Sequence, residues 1–315
     1  MKAVILDAAS LGPDIDLSAI REQVDDLEVH LASTTEQSRE RLAGAQVAIV
    51  NKVVLDATTL EALSELKLIC VLATGTNNID MATAERLGIE VRNVTAYGTA
   101  SVAQHTLMLI LALANRLPLY QRDVAAERWN ESPFFCLMNH GTLQLEGKHL
   151  VIVGQGELGS RVGALGEALG MRVNFAARPG HEAADSRPGI AELAPEADVI
   201  SLHCPLTDAT RHLIGADRLA TLKPDALLVN CARGGIIDEE AALAALRQGR
   251  LGGLGVDVLP AEPPRDGHAL LDALNEPLNL IVTPHNAWIT PEARQRIVAL
   301  TSDNLRRWKA QRDGA

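Results

Sequence analysis

Three side chains in the later part of the sequence are of the types that move protons and hold anions, and each follows an apolar run. Arg233 stands in "LLVNCARGGIIDEEAAL", Glu262 in "GVDVLPAEPP" and His285 in "LIVTPHNAW". A guanidinium ahead of two glycines can meet a carboxylate in two-point fashion. An imidazole can give a proton to a carbonyl oxygen, and a carboxylate beside it can orient the ring and stabilise its charged form. Singly, each has an ordinary alternative: Arg233 paired with Asp238 or Glu239, Glu262 solvated in a proline-braced loop, His285 bonded to backbone in a core. Together, at the ends of three apolar runs, they supply what reduction of a 2-oxo acid needs.

A reduction needs a hydride donor, and "VIVGQGELGSRVGALGEALG" provides a place for one. Gly154, Gly156 and Gly159 form G-x-G-x-x-G at the point where an apolar run gives way to a helical pattern. Gly154 permits the tight turn, Gly156 lets backbone approach a pyrophosphate, and Gly159 lets helix and strand pack closely. The helix amino terminus offers N–H groups and the positive end of a dipole. In NAD enzymes an acid about 20 residues further on accepts hydrogen bonds from the ribose hydroxyls. Here "MRVNFAARPG" places Ala177 and Arg178 at that point. A guanidinium matches phosphate geometry, so NADP(H) is the expected preference, with NAD(H) as the alternative, and Arg187 and His181 are candidates to assist.

The elements that position these residues follow from the pattern. Short β-branched runs such as "AVILD", "VAIVN", "LKLICVLA", "HLVIVG", "RVNFAA", "DVISLHCP", "ALLVN", "GLGVDV" and "NLIVTP" alternate with alanine- and leucine-rich segments at helical spacing. Such alternation predicts an α/β protein with doubly wound parallel sheets, whose strands read as unbroken apolar runs because helices cover both faces. The rhythm breaks after Ser101, where "SVAQHTLMLILALANRL" has no strand. Ser101 and Gln104 have the S-x-x-Q spacing of a capping box, which predicts a long helix starting there. This helix marks the passage between two domains, residues 1–98 plus 288–315 and residues 99–287. The last helix, from Pro291 to about Gln311, returns to the first.

The chain's 315 residues suffice for two cores. Lysine and arginine number 29 against 40 acids, a net charge of −11, which disfavours nucleic acid and acidic membranes as partners but not small anions. Four scattered cysteines, Cys70, Cys136, Cys204 and Cys231, with no C-x-x-C pair, predict free thiols in a reducing compartment. The amino terminus has no signal-peptide core, and the longest apolar run falls short of the ~20 residues that span a bilayer. A cytoplasmic protein is expected. "GTLQLEGKH" has one residue too many for a phosphate loop, and neither H-E-x-x-H nor G-x-S-x-G occurs, so no metal is expected.

With these motifs on the page, the chain resembles the D-isomer-specific 2-hydroxyacid dehydrogenases over nearly its whole length. The resemblance is carried by "ATGTNNID", "SVAQHTLMLILAL", "VGQGELG", "HCPLTDATRHLIG", "NCARGGIIDE", "GVDVLPAEPP" and "TPHNAW". It implies a flavodoxin-like substrate domain and a Rossmann dinucleotide-binding domain. Arg233, Glu262 and His285 match the catalytic triad. Ala73, Thr74, Gly75 and Thr76 match the turn whose N–H groups bind the substrate carboxylate, joined by Arg233, His285 and Trp288, the last with packing at a domain hinge as its alternative. Asp257 matches the residue that holds the nicotinamide carboxamide, and Glu157 with Leu158 match positions under the pyrophosphate. His203, Cys204, Pro205, Thr210, Cys231, Ala232, Arg233 and His285 complete the cofactor set. "RWNESPFFC", "AEPPRDGHAL" and Trp288 draw the likeness toward hydroxypyruvate reductases, also called glycerate dehydrogenases. Hydroxypyruvate, with glyoxylate second, is then the expected substrate, and a homodimer the expected assembly. D-lactate, 3-phosphoglycerate or formate as substrate, and a non-catalytic redox sensor, are the alternatives.

Overall fold

Aliphatic runs that helices can cover on both faces become the central strands, and the computed structural model, which describes residues 1–313, builds two sheets from them. The chain divides into two units, one of Met1–Gly98 with the segment from Trp288 on, the other of Thr99–Ala287.

In the first unit, β1 (Lys2–Ile5), β2 (Asp26–Val29), β3 (Val47–Val50), β4 (Leu68–Val71) and β5 (Glu90–Asn93) form one sheet in the order β2-β1-β3-β4-β5. All neighbouring pairs are parallel. β3 and β4 are buried throughout, whereas the edge strands β2 and β5 carry charges and stay half-exposed. Edge strands need cover on fewer sides, and charge there discourages pairing with another chain. Helices begin where side chains can satisfy their first N–H groups. Thr34 and Gln37 form a capping box on the helix Thr35–Arg41, and Asp56 and Asp80 cap Ala57–Glu61 and Met81–Arg86. The helix Pro291–Asp313 buries Ile297, Val298, Leu305 and Trp308 with Ala3 and Ile5 of β1.

One buried carboxylate organises this sheet's carboxyl end. Asp7, two residues past β1, accepts hydrogen bonds from the backbone N–H groups of Asn51 (2.9 Å), Lys52 (2.7 Å) and Val53 (3.2 Å), the residues leaving the neighbouring β3. Buried without them it would be costly, so the loop is fixed to it.

The second unit contains β6 (His149–Val153), β7 (Arg172–Ala176), β8 (Val199–Leu202), β9 (Leu227–Asn230), β10 (Gly253–Val256) and β11 (Leu280–Val282), in the order β11-β10-β9-β8-β6-β7. Every neighbouring pair is parallel. The chain steps from β6 out to β7 and back past β6 to β8, which makes the β6/β8 boundary the switch point where such sheets bind ligands. The helix Glu157–Ala168 follows β6 at once. It lies close because it presents glycine: a Cβ at Gly163 would come within 2.8 Å of Phe175 and one at Gly166 within 2.6 Å of Leu150.

The entering helix runs over Thr99–Ala114, two residues earlier than its sequence signal. Ser101 is not its cap; it lies inside the first turn, and its hydroxyl donates to Ala287 O at 2.5 Å, a tertiary partner that local spacing could not show. Arg116, in the left-handed region (φ 55°), then turns the chain by 60° into Leu117–Ala125, with Pro118 in the first turn of that helix. Among the described residues no single helix is long and apolar enough to cross a membrane. All four cysteines are free thiols; burial pushes Cys70 and Cys231 up to about 12 and Cys204 up to about 11, which keeps these three protonated.

Candidate active site

The chemistry gathers at the carboxyl ends of β9, β10 and β11, and a buried aspartate again sets the geometry. Asp257 follows β10 and is 1% exposed. Its Oδ1 accepts from Thr283 Oγ1 (2.5 Å) and Asn286 N (3.0 Å), and its Oδ2 from Ala287 N (3.0 Å). Pro284 and His285, between these anchors, must bulge, and His285 adopts φ 52°. That left-handed conformation costs a non-glycine residue roughly 1–3 kcal/mol and persists only where surroundings enforce it. His285 N donates to Thr283 O (3.0 Å), closing the turn.

The imidazole so presented meets Glu262. His285 Nδ1 lies 2.6 Å from Glu262 Oε2, and Leu259 N donates to Glu262 Oε1 at 2.7 Å, fixing the carboxylate's plane. Side-chain exposures of 33% and 32% keep both within reach of a bound molecule. A carboxylate accepts only, so Nδ1 carries the proton in this bond, and Nε2 is the ring nitrogen that can give one to a substrate.

Arg233 stands on the turn after β9. Asn230, fully buried, holds that turn: its side-chain oxygen accepts from Ala232 N (3.0 Å) and its amide donates to Arg233 O (2.8 Å). At Gly234 a Cβ would collide with the backbone of Leu259 and Pro260, so the turn lies directly against the loop that carries Glu262. The acids weighed as partners for Arg233 are engaged elsewhere. Asp238 caps the helix Glu239–Arg247 through Ala241 N (3.0 Å), and Glu239 accepts from Gly235 N (2.9 Å). Arg233 itself is exposed, and its Nη1 donates to Ala232 O at 2.7 Å.

Sequence reading missed His105. From the helix Thr99–Ala114 its Nε2 reaches Thr283 Oγ1 (3.0 Å) and lies 3.5 Å from Asp257 Oδ1, joining the network under His285. A histidine just ahead of the apolar run "LMLILALA" was the available signal.

At the end of β6, Gly154 has φ 104°, and a Cβ there would lie 2.5 Å from His203 O. A Cβ at Gly159 would collide with Gly154 O, whereas nothing lies within 4 Å of one at Gly156. That clearance, above a helix whose first N–H groups have no side-chain cap, is the shape and charge a pyrophosphate requires. Glu157 Oε1 accepts from Thr99 Oγ1 (2.6 Å), and Leu158 is half-buried. Beyond β8, His203 Nε2 pairs with Ser201 Oγ (2.8 Å), and Thr210 braces the loop that begins at Cys204 and Pro205, its hydroxyl donating to Pro205 O (2.7 Å) and accepting from Thr207 N (2.7 Å). Burial pushes the His203 ring down to about 4.

Residues 107–287 match the model of the D-isomer specific 2-hydroxyacid dehydrogenase NAD-binding domain. The chain is 42% identical to the glycerate dehydrogenase of Methylorubrum extorquens over 86% of its own length and 85% of the relative's. The chain belongs to this family. It is also 31% identical to the hydroxypyruvate reductase of Blautia hydrogenotrophica, covering 97% and 96% of the two chains. Among solved structures it superposes on an acyclic imino acid reductase in complex with NADPH and D-Arg with a TM-score of 0.82, at 25% identity and 99% and 98% coverage. As a D-2-hydroxyacid dehydrogenase it is an oxidoreductase acting on small 2-hydroxy acids, and its G-x-G-x-x-G turn lies in the part that matches the family's NAD-binding domain.

The dehydrogenase has an unexpected acid beyond β7. Ala177 is buried and Arg178 exposed, and the backbone N–H of Arg178 donates to Asp185 Oδ2 at 2.9 Å. Asp185 lies eight residues past Ala177 and is returned to the strand end by the loop. Arg187 holds it from the other side and reaches Gln155 Oε1 at 2.7 Å, inside the glycine turn.

In the first unit, Ala73 is buried at the end of β4, Thr74 is exposed, and Asn93 Nδ2 donates to Thr74 O (2.6 Å). Among the described residues no backbone hydrogen bond engages the N–H groups of Thr74, Gly75 or Thr76. Trp288 packs edge-on against Tyr97, with ring centroids 6.3 Å apart.

Proposed function

We propose that the protein reduces hydroxypyruvate to D-glycerate, and glyoxylate to glycolate more slowly, using NADPH in preference to NADH. The observation that carries the reading is the His285 Nδ1 to Glu262 contact of 2.6 Å on a turn clamped by Asp257. In this reading Nε2 is the proton donor, and the adjacent carboxylate orients the ring through Nδ1. The dinucleotide supplies the hydride when bound. Arg233 holds the substrate carboxylate, and Asp257 and the turn after β9, with Cys231 and Ala232, position the nicotinamide end. The substrate choice is supported by relatives named glycerate dehydrogenase and hydroxypyruvate reductase. NADPH is supported by the absence of an acid at Ala177 and Arg178 and by the neighbouring arginines.

The working form in this reading is a cytoplasmic homodimer. Trp129, Phe134, Phe135 and Met138, exposed by 51%, 66%, 90% and 78%, form an apolar stretch after the helix Leu117–Ala125 that a second copy would cover.

A panel of 2-oxo acids assayed with NADPH and NADH in parallel tests the proposal. Hydroxypyruvate should give the highest kcat/KM, and faster turnover of pyruvate would overturn the substrate. Equal or better use of NADH would overturn the cofactor preference.

A further inference from the structure

The arginine that would read a 2′-phosphate is not the one at the strand end. Asp185, an acid in that neighbourhood, could instead accept from the ribose hydroxyls as the usual strand-end acid does, and its hydrogen bonds decide against this. A carboxylate has about four acceptor sites. Oδ1 takes the backbone N–H (3.1 Å) and Nε (2.9 Å) of Arg187, and Oδ2 takes the backbone N–H of Arg178 (2.9 Å) and Nη2 of Arg187 (2.5 Å). All four sites are filled, so a ribose diol finds no acceptor there. Arg187 holds this carboxyl well below the usual carboxylate range, and the pair stays charged at any working pH.

Arg187 is in the opposite condition. A guanidinium has five N–H donors. Two are bound to Asp185 and one, on Nη1, to Gln155 Oε1 (2.7 Å), which leaves one N–H on each terminal nitrogen. Gln155 lies between Gly154 and Gly156, so its contact ties the guanidinium to the turn that receives the pyrophosphate. The side chain is thus immobilised before any ligand arrives, and a fixed fork loses little entropy on meeting a phosphate. Arg178 lacks this preparation. Its backbone serves Asp185, and among the described residues its guanidinium makes no hydrogen bond or ion pair.

We infer that Arg187 is the residue that selects the 2′-phosphate, and that Asp185 and Gln155 are positioning residues for it. The inference rests on the NADPH reading above and names its source.

The experiment is calorimetric binding of adenosine 2′,5′-bisphosphate and adenosine 5′-monophosphate, which differ only in the 2′-phosphate. The wild-type protein should favour the bisphosphate by ~10-fold or more, the scale of a pair of charge-assisted hydrogen bonds. Arg187→Ala should bring the ratio near one while still binding the monophosphate, which shows that the site is folded. Arg178→Ala should keep the ratio, and Asp185→Asn should lower it by freeing the fork. A wild-type ratio of one or less overturns the NADPH reading and this inference together. A high wild-type ratio that survives Arg187→Ala overturns the inference alone, and one that survives Asp185→Asn removes the positioning role of Asp185.

Discussion

The two sheets use the same device at their carboxyl ends to different effect. In each, a buried aspartate just past one strand collects hydrogen bonds from the loop leaving the neighbouring strand. Asp7 takes three successive N–H groups, those of Asn51, Lys52 and Val53, and none of these residues has positive φ. Asp257 takes the Thr283 hydroxyl and the N–H groups of Asn286 and Ala287, passing over two residues, and the second of these, His285, is forced into the left-handed region. The spacing of the anchors, not the carboxylate, decides whether a loop is laid flat or presents one side chain. Under the proposed function, the geometry that presents the proton donor is a structural clamp with two residues left out of it.

That contrast can be broken at several places. The largest effect belongs to the presented side chain: His285→Ala should lower kcat by ~10²–10⁴-fold, the range for general acid catalysis, with a smaller change in KM. Arg233→Ala should damage both, and equal small losses from the two would remove the roles assigned here.

Next come the clamps. Asp257→Asn and Asp7→Asn each strip charge from a buried acceptor of several hydrogen bonds and should each cost about 2–4 kcal/mol in urea unfolding. Only Asp257→Asn should also reduce kcat by an order of magnitude or more in protein shown to be folded. Matching losses of turnover would mean that the two clamps do not differ as described.

His203, in the second unit, sets a smaller difference with pH. Its ring titrates near 6.5 when unfolded and at about 4 when folded, because burial disfavours the charged form. The unfolded chain therefore binds the proton first. The contribution is complete above pH 6.5 and lost as the pH falls toward 4, by at most about 3 kcal/mol. His203→Gln should flatten the stability profile between these values, and an unchanged slope would assign the acid response elsewhere. Smallest of all, Thr34→Ala removes a capping box in the first unit and should cost about 1 kcal/mol by thermal denaturation. A loss of hydride transfer with it would contradict the clamp at Asp257 as the local determinant.

Much of this was legible in the sequence, for identifiable reasons. Strands buried on both faces keep unbroken apolar runs, so β3, β4, β6, β8, β9 and β10 could be read directly, and the candidate residues proposed to act at their ends could be placed with them. β2 and β5, "DLEV" and "EVRN", could not, because edge positions tolerate the charges that erase the signal. The cap assigned to Ser101 failed because its hydroxyl had a better partner in Ala287, far along the chain. The Glu262 to His285 contact could be expected from residue types alone, while its support by Thr283, His105 and Asp257 depends on strand adjacency. Asp185 escaped for a related reason: the acid was sought at the strand end, and the loop returns one from eight residues beyond Ala177.

The helix Glu157–Ala168 has glycine at 159, 163 and 166 among its twelve residues. Each costs roughly 1 kcal/mol of helix stability relative to alanine, so the segment would not hold its shape away from Leu150 and Phe175. Its amino terminus also has no side chain to close it. A bound dinucleotide then acts as the cap that the sequence omits, finishing the helix as well as occupying it. Amide exchange at Glu157, Leu158 and Gly159 should slow on cofactor binding far more than exchange in β6, because the ligand completes the one and merely neighbours the other.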